Sequence, residues 1–152
     1  PNAMTKASNN TVEFLLPIDC VVADDFAIDA QTQIVARDAM PQGWEGMDIG
    51  PETRKLYEDK VAGGGTVVWN GPLGVYEMQP FAQGTLQVAE ALVAATGAGA
   101  MSIIGGGDTA AALTRAGLAE GMTHVSTGGG ASLECMGGRV LPGVEALADK
   151  GD

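Results

Sequence analysis

The sequence predicts an α/β protein: an open parallel sheet of about four core strands, flanked by helices. Three observations predict it. Short apolar runs alternate with stretches of helical spacing along the chain, the rhythm of parallel strands joined by right-handed crossovers. Three of those runs end in glycine clusters, at residues 71–74, 105–107 and 128–130. The 152 residues are 45% hydrophobic and 18% charged, a composition that buries a core and is not that of a disordered chain.

In chain order, Pro1-Asn2-Ala3-Met4 reads as an expression scar with an artificial start, set apart from residues 5–152. Residues 14–23 form the first apolar run. Pro17 would interrupt a central ladder, so the ordered strand is expected after it. Residues 24–40 alternate weakly around Ile34-Val35-Ala36 and read as a surface excursion with a short extra strand. Residues 41–50 read as a loop holding Trp44. Pro51 then opens a helix from its favoured first-turn position, and Gly63-Gly64-Gly65 ends it.

The second strand is 66–70, and a loop with Pro72 and Pro80 follows. Gly84-Thr85 starts a helix with Thr85 as its cap; Leu86, Ala89, Glu90 and Val93 keep helical spacing up to Gly97. The third strand is 101–104, and its helix runs from Asp108 to about Ala116. The fourth strand is 124–127, with a short helix from about Ala131 and another near 144–148. Such a half sheet would expose an apolar edge, so the chain is expected to self-associate.

Composition narrows the function. The formal net charge is −11, with eight Lys plus Arg, which opposes nucleic-acid and acidic-membrane partners. Cys20 and Cys135 fit no metal spacing and read as buried or half-buried thiols of a reducing compartment; His124 is the sole histidine. No apolar run is long enough to span a membrane, and no signal-peptide pattern occurs. Trp44, Trp69, Met40, Met47 and Met78 read as packing residues.

The chemistry is expected at the glycine clusters, above all Ile103-Ile104-Gly105-Gly106-Gly107-Asp108-Thr109-Ala110-Ala111-Ala112. Glycines let backbone amides approach an anion, and the free amides of a helix start point at it. Asp108 there serves either as a helix cap or as a ligand for a divalent cation. Its companions are Thr66-Val67-Val68-Trp69-Asn70-Gly71-Pro72-Leu73-Gly74-Val75-Tyr76-Glu77 and His124-Val125-Ser126-Thr127-Gly128-Gly129-Gly130-Ala131-Ser132-Leu133-Glu134. In an open parallel sheet such turns line up at the carboxyl ends of the strands, where ligands bind.

Residues 105–110 also satisfy a dinucleotide-binding G-x-G-x-x-A. That reading wants an acid at the end of the next strand, where Ser126-Thr127-Gly128 offers none. No Walker-type lysine loop occurs, and no Lys or Arg lies in any of the three clusters. Arg115 and Arg139 sit downstream and read as solvent-facing.

These clusters, with Leu15-Leu16-Pro17-Ile18-Asp19, Gly43-Trp44-Glu45-Gly46-Met47-Asp48-Ile49-Gly50-Pro51 and Val140-Leu141-Pro142-Gly143-Val144-Glu145-Ala146-Leu147, resemble the C-terminal part of phosphoglycerate kinase. The resemblance runs from about Val12 to Leu147. It implies a portion of the Rossmann-like, nucleotide-binding C-terminal domain of a two-domain, cytoplasmic, monomeric glycolytic enzyme. That enzyme moves a phosphoryl group between 1,3-bisphosphoglycerate and ADP, giving 3-phosphoglycerate and ATP.

By the same resemblance, Asp108 contacts the Mg²⁺ of Mg-ATP or Mg-ADP, and Gly106, Gly107 and Thr109 border the phosphates. Glu77 matches the acid that binds the ribose hydroxyls; Asn70, Pro72 and Val75 match residues lining ribose and adenine. The amides of Gly128, Gly129 and Gly130, with Gly107, face the transferring phosphoryl group. Tyr76 stands where the family more often has Phe. The family's basic N-terminal domain, lysine-bearing loop and glycine-rich adenine wall have no counterpart here. The chain is therefore expected to be inactive alone, either as a nucleotide-binding module or as an inert structural half-domain.

Overall fold

Two three-stranded sheets organise the described residues. In the computed structural model, residues 2–147 are described. The first sheet is antiparallel, in the order β2-β1-β3, from β1 (Asp19–Ala23), β2 (Thr32–Ala36) and β3 (Glu45–Ile49). The second is parallel, in the order β4-β5-β6, from β4 (Thr66–Asn70), β5 (Met101–Gly105) and β6 (His124–Ser126). The helices are α1 (Asn2–Asn9), α2 (Pro51–Ala62), α3 (Gln83–Gly97), α4 (Gly107–Ala116), α5 (Gly129–Met136) and α6 (Pro142–Glu145). The expected helix near 144–148 is thus seen at Pro142–Glu145, and Ala148 lies outside the described residues.

The α/β class with a helix-flanked parallel sheet is as the sequence predicts, but the strand count differs. The first predicted strand begins after Pro17 as expected, yet pairs antiparallel with β2 and β3. Its link to β2 is only the short stretch 24–31, too short for the crossover a parallel neighbour needs. Residues 45–49, expected as loop, are strand β3. Its Met47, Asp48 and Ile49 are all buried, so the alternation that reveals a half-buried strand is missing.

The two sheets have separate apolar cores. Trp69, Val88, Ala89, Leu92, Ile104, Leu113 and Met122 pack the parallel sheet against α3 and α4. Ala23, Met47 and Phe81 form a smaller core on the antiparallel sheet, with Val75 and Met78 against it. Trp69, Met47 and Met78 are thus packing residues, whereas Met40 is largely exposed. Cys135 is also exposed, against expectation, because Gly129 is the one buried residue of α5.

Helix starts are fixed by remote groups. The Asp19 carboxylate accepts the amides of Glu52 at 3.0 Å and Thr53 at 2.8 Å, and so caps α2 from β1. Thr85 is no cap: it lies inside α3, 2% exposed. Its hydroxyl donates to the Leu73 carbonyl and accepts the Leu73 amide at 2.9 Å. Among the described residues no helix is long and apolar enough to cross a membrane.

Candidate functional site

The carboxyl ends of the three parallel strands lie side by side, with Asn70 opposite Gly105 and Gly105 opposite Ser126. Each strand then enters one of the glycine clusters. Two clusters lead into helices: α4 begins at Gly107 behind Gly106, and α5 at Gly129 behind Gly128. Neither start has a side-chain cap, so first-turn amides at both are left without an intrahelical acceptor.

The clusters also touch. A Cβ on Gly129 would stand 2.7 Å from the Gly106 Cα and 2.8 Å from Asn70 Oδ1. One on Gly105 would stand 2.9 Å from the same Oδ1. Gly106 takes φ +100°, which glycine adopts without the penalty a Cβ brings. The strand ends therefore form one backbone-lined surface around the exposed Asn70 side chain.

Thr109 is fully buried, and its Oγ1 accepts the Gly71 amide at 2.8 Å. This ties the first turn of α4 to the turn after β4. The Gly71 carbonyl in turn accepts Trp69 Nε1–H at 2.7 Å. Thr109 therefore supports this helix start from beneath, its hydroxyl accepting the Gly71 amide while the whole residue is closed to solvent. The Gly128 amide is likewise taken, by Ser126 Oγ at 3.1 Å; Gly130 is exposed.

Asp108 is exposed in the first turn of α4, and the cap position belongs to Gly106. The cap reading of Asp108 is thereby excluded; its charge still suits the positive end of the helix. No group of three or more His, Cys, Asp or Glu able to hold a metal occurs among the described residues. A lone exposed carboxylate beside free helix amides fits Mg²⁺ held mainly by phosphate oxygens and water, not by a protein cage.

Pro72, Val75 and Glu77 follow β4 on the segment 71–82. Val75 N–H donates to the Met47 carbonyl at 2.8 Å, and Met78 N–H closes a turn onto the Val75 carbonyl at 3.0 Å. Glu77 is exposed on that turn, while Pro72 and Val75 are half-buried. Tyr76 and Glu77 line a cleft of about 280 Å³ against α3 and α4, which Arg115 also lines. Partial burial and the charges of Glu77 and Asp108 push the Tyr76 hydroxyl up from its ordinary value, with Arg115 opposing.

Arg115 is exposed, as expected, yet shares the Glu77 cleft. Its place seven residues after Asp108, two helical turns along, is the signal that sets them on one stripe. Asp48 is a second residue that sequence reasoning passed over. It is 5% exposed, and burial pushes its carboxyl up to about 6 against the opposing pull of the Gly84 and Ile49 amides and the Arg54 charge.

The family model described as phosphoglycerate kinase matches residues 1–139. The chain is 54% identical over 146 residues to a phosphoglycerate kinase of Chloroflexus aggregans, a match covering 96% of this chain and 36% of the relative. Against a phosphoglycerate kinase of Synechococcus elongatus the identity is also 54%, with the same coverage of each chain. Among solved structures, phosphoglycerate kinase from Coxiella burnetii superposes with a TM-score of 0.87 at 42% identity, covering 95% of this chain and 36% of that one. The enzyme from Pyrococcus horikoshii gives 0.73 at 30% identity, covering 96% and 37%. The chain thus spans little more than a third of the length of these relatives.

Proposed function

This chain belongs to the phosphoglycerate kinase family, and from that premise we propose that it forms part of a Mg-nucleotide site and binds ADP or ATP without turning it over alone. The observation that carries the reading is the seating of Gly129 on Gly106 beside Asn70. It brings two uncapped helix starts together, and helix starts are ready-made anion sites.

In this reading the α4 amide at Gly107 and the α5 amides at Gly129 and Gly130 face the phosphates, and buried Thr109 braces the turn beneath them. Bound Mg²⁺ would neutralise phosphate charge, and Asp108 is the residue that would hold it. Glu77 would accept hydrogen bonds from the ribose hydroxyls, with Pro72 and Val75 offering apolar contact to the base. Asn70 would steady the surface between the two helix starts. The parent reaction, transfer between 1,3-bisphosphoglycerate and ADP in the cytoplasm, is a matter of positioning and charge neutralisation.

Binding without turnover is favoured by the charges. Phosphoryl transfer wants fixed cations at the moving group, and neither helix start carries a Lys or Arg in its first turn. Arg115, in the last turn of α4, lies beside Glu77 instead. The sugar-phosphate substrate would be met by regions of the relatives outside this span.

Calorimetric titration with Mg·ADP, paired with an assay of ATP formation from 1,3-bisphosphoglycerate, tests both halves. Saturable binding with no ATP formed is the expected result. No heat at millimolar Mg·ADP would mark the chain as an inert scaffold, and ATP formation would refute its inactivity.

A further inference from the structure

The segment 71–84 carries Pro72, Val75 and Glu77, and it is held from behind by the antiparallel sheet. Phe81 is fully buried in the small core with Met47 and Ala23, and Val75 and Met78 pack on that core. The Met47 carbonyl takes the Val75 amide at 2.8 Å. The next residue, Asp48, meets the segment at two places, Gly74 and Gly84. Its Oδ2 accepts the Gly84 amide at 2.8 Å, where α3 begins, and its Oδ1 accepts its neighbour Ile49's amide at 2.8 Å. Cβ atoms added at Gly74 or Gly84 would fall on the Asp48 carboxylate, and one at Gly74 would also lie 2.6 Å from the Phe81 carbonyl.

We propose that Asp48 is the positioning residue of this segment: its carboxylate, seated between Gly74 and Gly84, fixes the turn that presents Glu77 to the ribose. The proposal rests on the nucleotide reading for what Glu77 does, but not for how the segment is held. It also gives β1–β3 a task, as the rear support of the nucleotide-facing loop.

The carboxylate's surroundings make its protonation visible. Arg54 on α2 supplies the favourable charge. Asp19 on β1 is turned to the start of α2, where the Glu52 and Thr53 amides take it. The first turn of α3 offers only neutral Gln83 and Gly84, and Glu77 on the segment itself is exposed.

The test is a pH series of ¹⁵N–¹H spectra on the unaltered chain, followed by Mg·ADP titrations of the chain and of Asp48→Asn. The amides of Ile49, Gly74, Val75 and Gly84 are expected to move together with a midpoint near the carboxyl's value of about 6, and to stay flat in the variant. The variant is expected to keep its α4 amide positions but to bind Mg·ADP on the order of tenfold more weakly, the loss of about one charged hydrogen bond. Independent titration of those amides overturns the proposal, as does unaltered Mg·ADP affinity in the variant. If the amides move together but the unaltered chain ignores Mg·ADP, the positioning stands and the nucleotide reading fails. The pH series needs no variant, so it decides the matter even if Asp48→Asn does not fold.

Discussion

Gly129 rests on Gly106 so closely that a Cβ on the first would stand 2.7 Å from the Cα of the second. That contact joins the start of α5 to the start of α4. Gly129→Ala should force them apart, costing about 1–3 kcal/mol of stability, as overpacking does, and weakening Mg·ADP binding as well. Urea denaturation and calorimetry measure the two effects. An alanine variant as stable and as tightly binding as the parent would show that the contact does not matter.

Thr109 and Gly71 make the second tie between turns, through the 2.8 Å bond from the Gly71 amide to Thr109 Oγ1. Thr109→Val keeps the shape and removes the acceptor. It should cost about 1–3 kcal/mol, the penalty of a half-buried amide left unpaired. Thr109→Ser should recover most of that loss in thermal or urea melts. Equal melts for Val and Thr would remove the tie from the account.

Asp108 is exposed and caps nothing, so Asp108→Asn should leave folding stability within about 0.5 kcal/mol, as for most surface changes. The metal-dependent part of ADP affinity should nevertheless fall on the order of tenfold. Titrations with and without Mg²⁺ separate these effects. A variant whose ADP affinity rises with Mg²⁺ as much as the parent's would end the metal assignment.

Two buried carboxylates pull stability in opposite directions with pH. Asp48 sits at about 6, above its ordinary 3.8, so its folded state favours the proton. Its contribution is complete below 3.8 and is lost as pH rises through about 6. For Asp19, burial pushes up, but the Thr53 hydroxyl and the Thr53 and Glu52 amides outweigh it and leave the group below 3.8. Its contribution is present above 3.8 and lost as pH falls through the lowered value. Urea midpoints should therefore fall between pH 4.5 and 6.5, roughly the upper part of the Asp48 window. Asp48→Asn should flatten that slope, and a slope unchanged in the variant would assign it to other groups.

The parallel half of the fold was legible because β4, β5 and β6 are apolar runs ending in glycines. The clusters at residues 105–107 and 128–130 are indeed brought together. The antiparallel half was not legible: β3 buries Met47, Asp48 and Ile49 in succession and shows no period of two. Asp48 was hidden for the same reason, since its role comes from Gly74 and Gly84, which only the tertiary fold places beside it. Thr85 misled as a cap because local pattern cannot tell a cap from a residue two places inside the helix, and for Asp108 the same pattern left cap and metal ligand open until Gly106 took the cap position. Self-association remains a consequence to measure: Val68 on edge strand β4 is 40% exposed, and a monomeric mass in concentrated light scattering would count against it.

The most direct measurement is a ¹⁵N–¹H correlation spectrum of the chain with and without Mg·ADP. Shifts concentrated at residues 106–109, 128–130 and Glu77 are the predicted result, with the amides of β2 unmoved. A dispersed spectrum that does not change at millimolar Mg·ADP would contradict the proposed site.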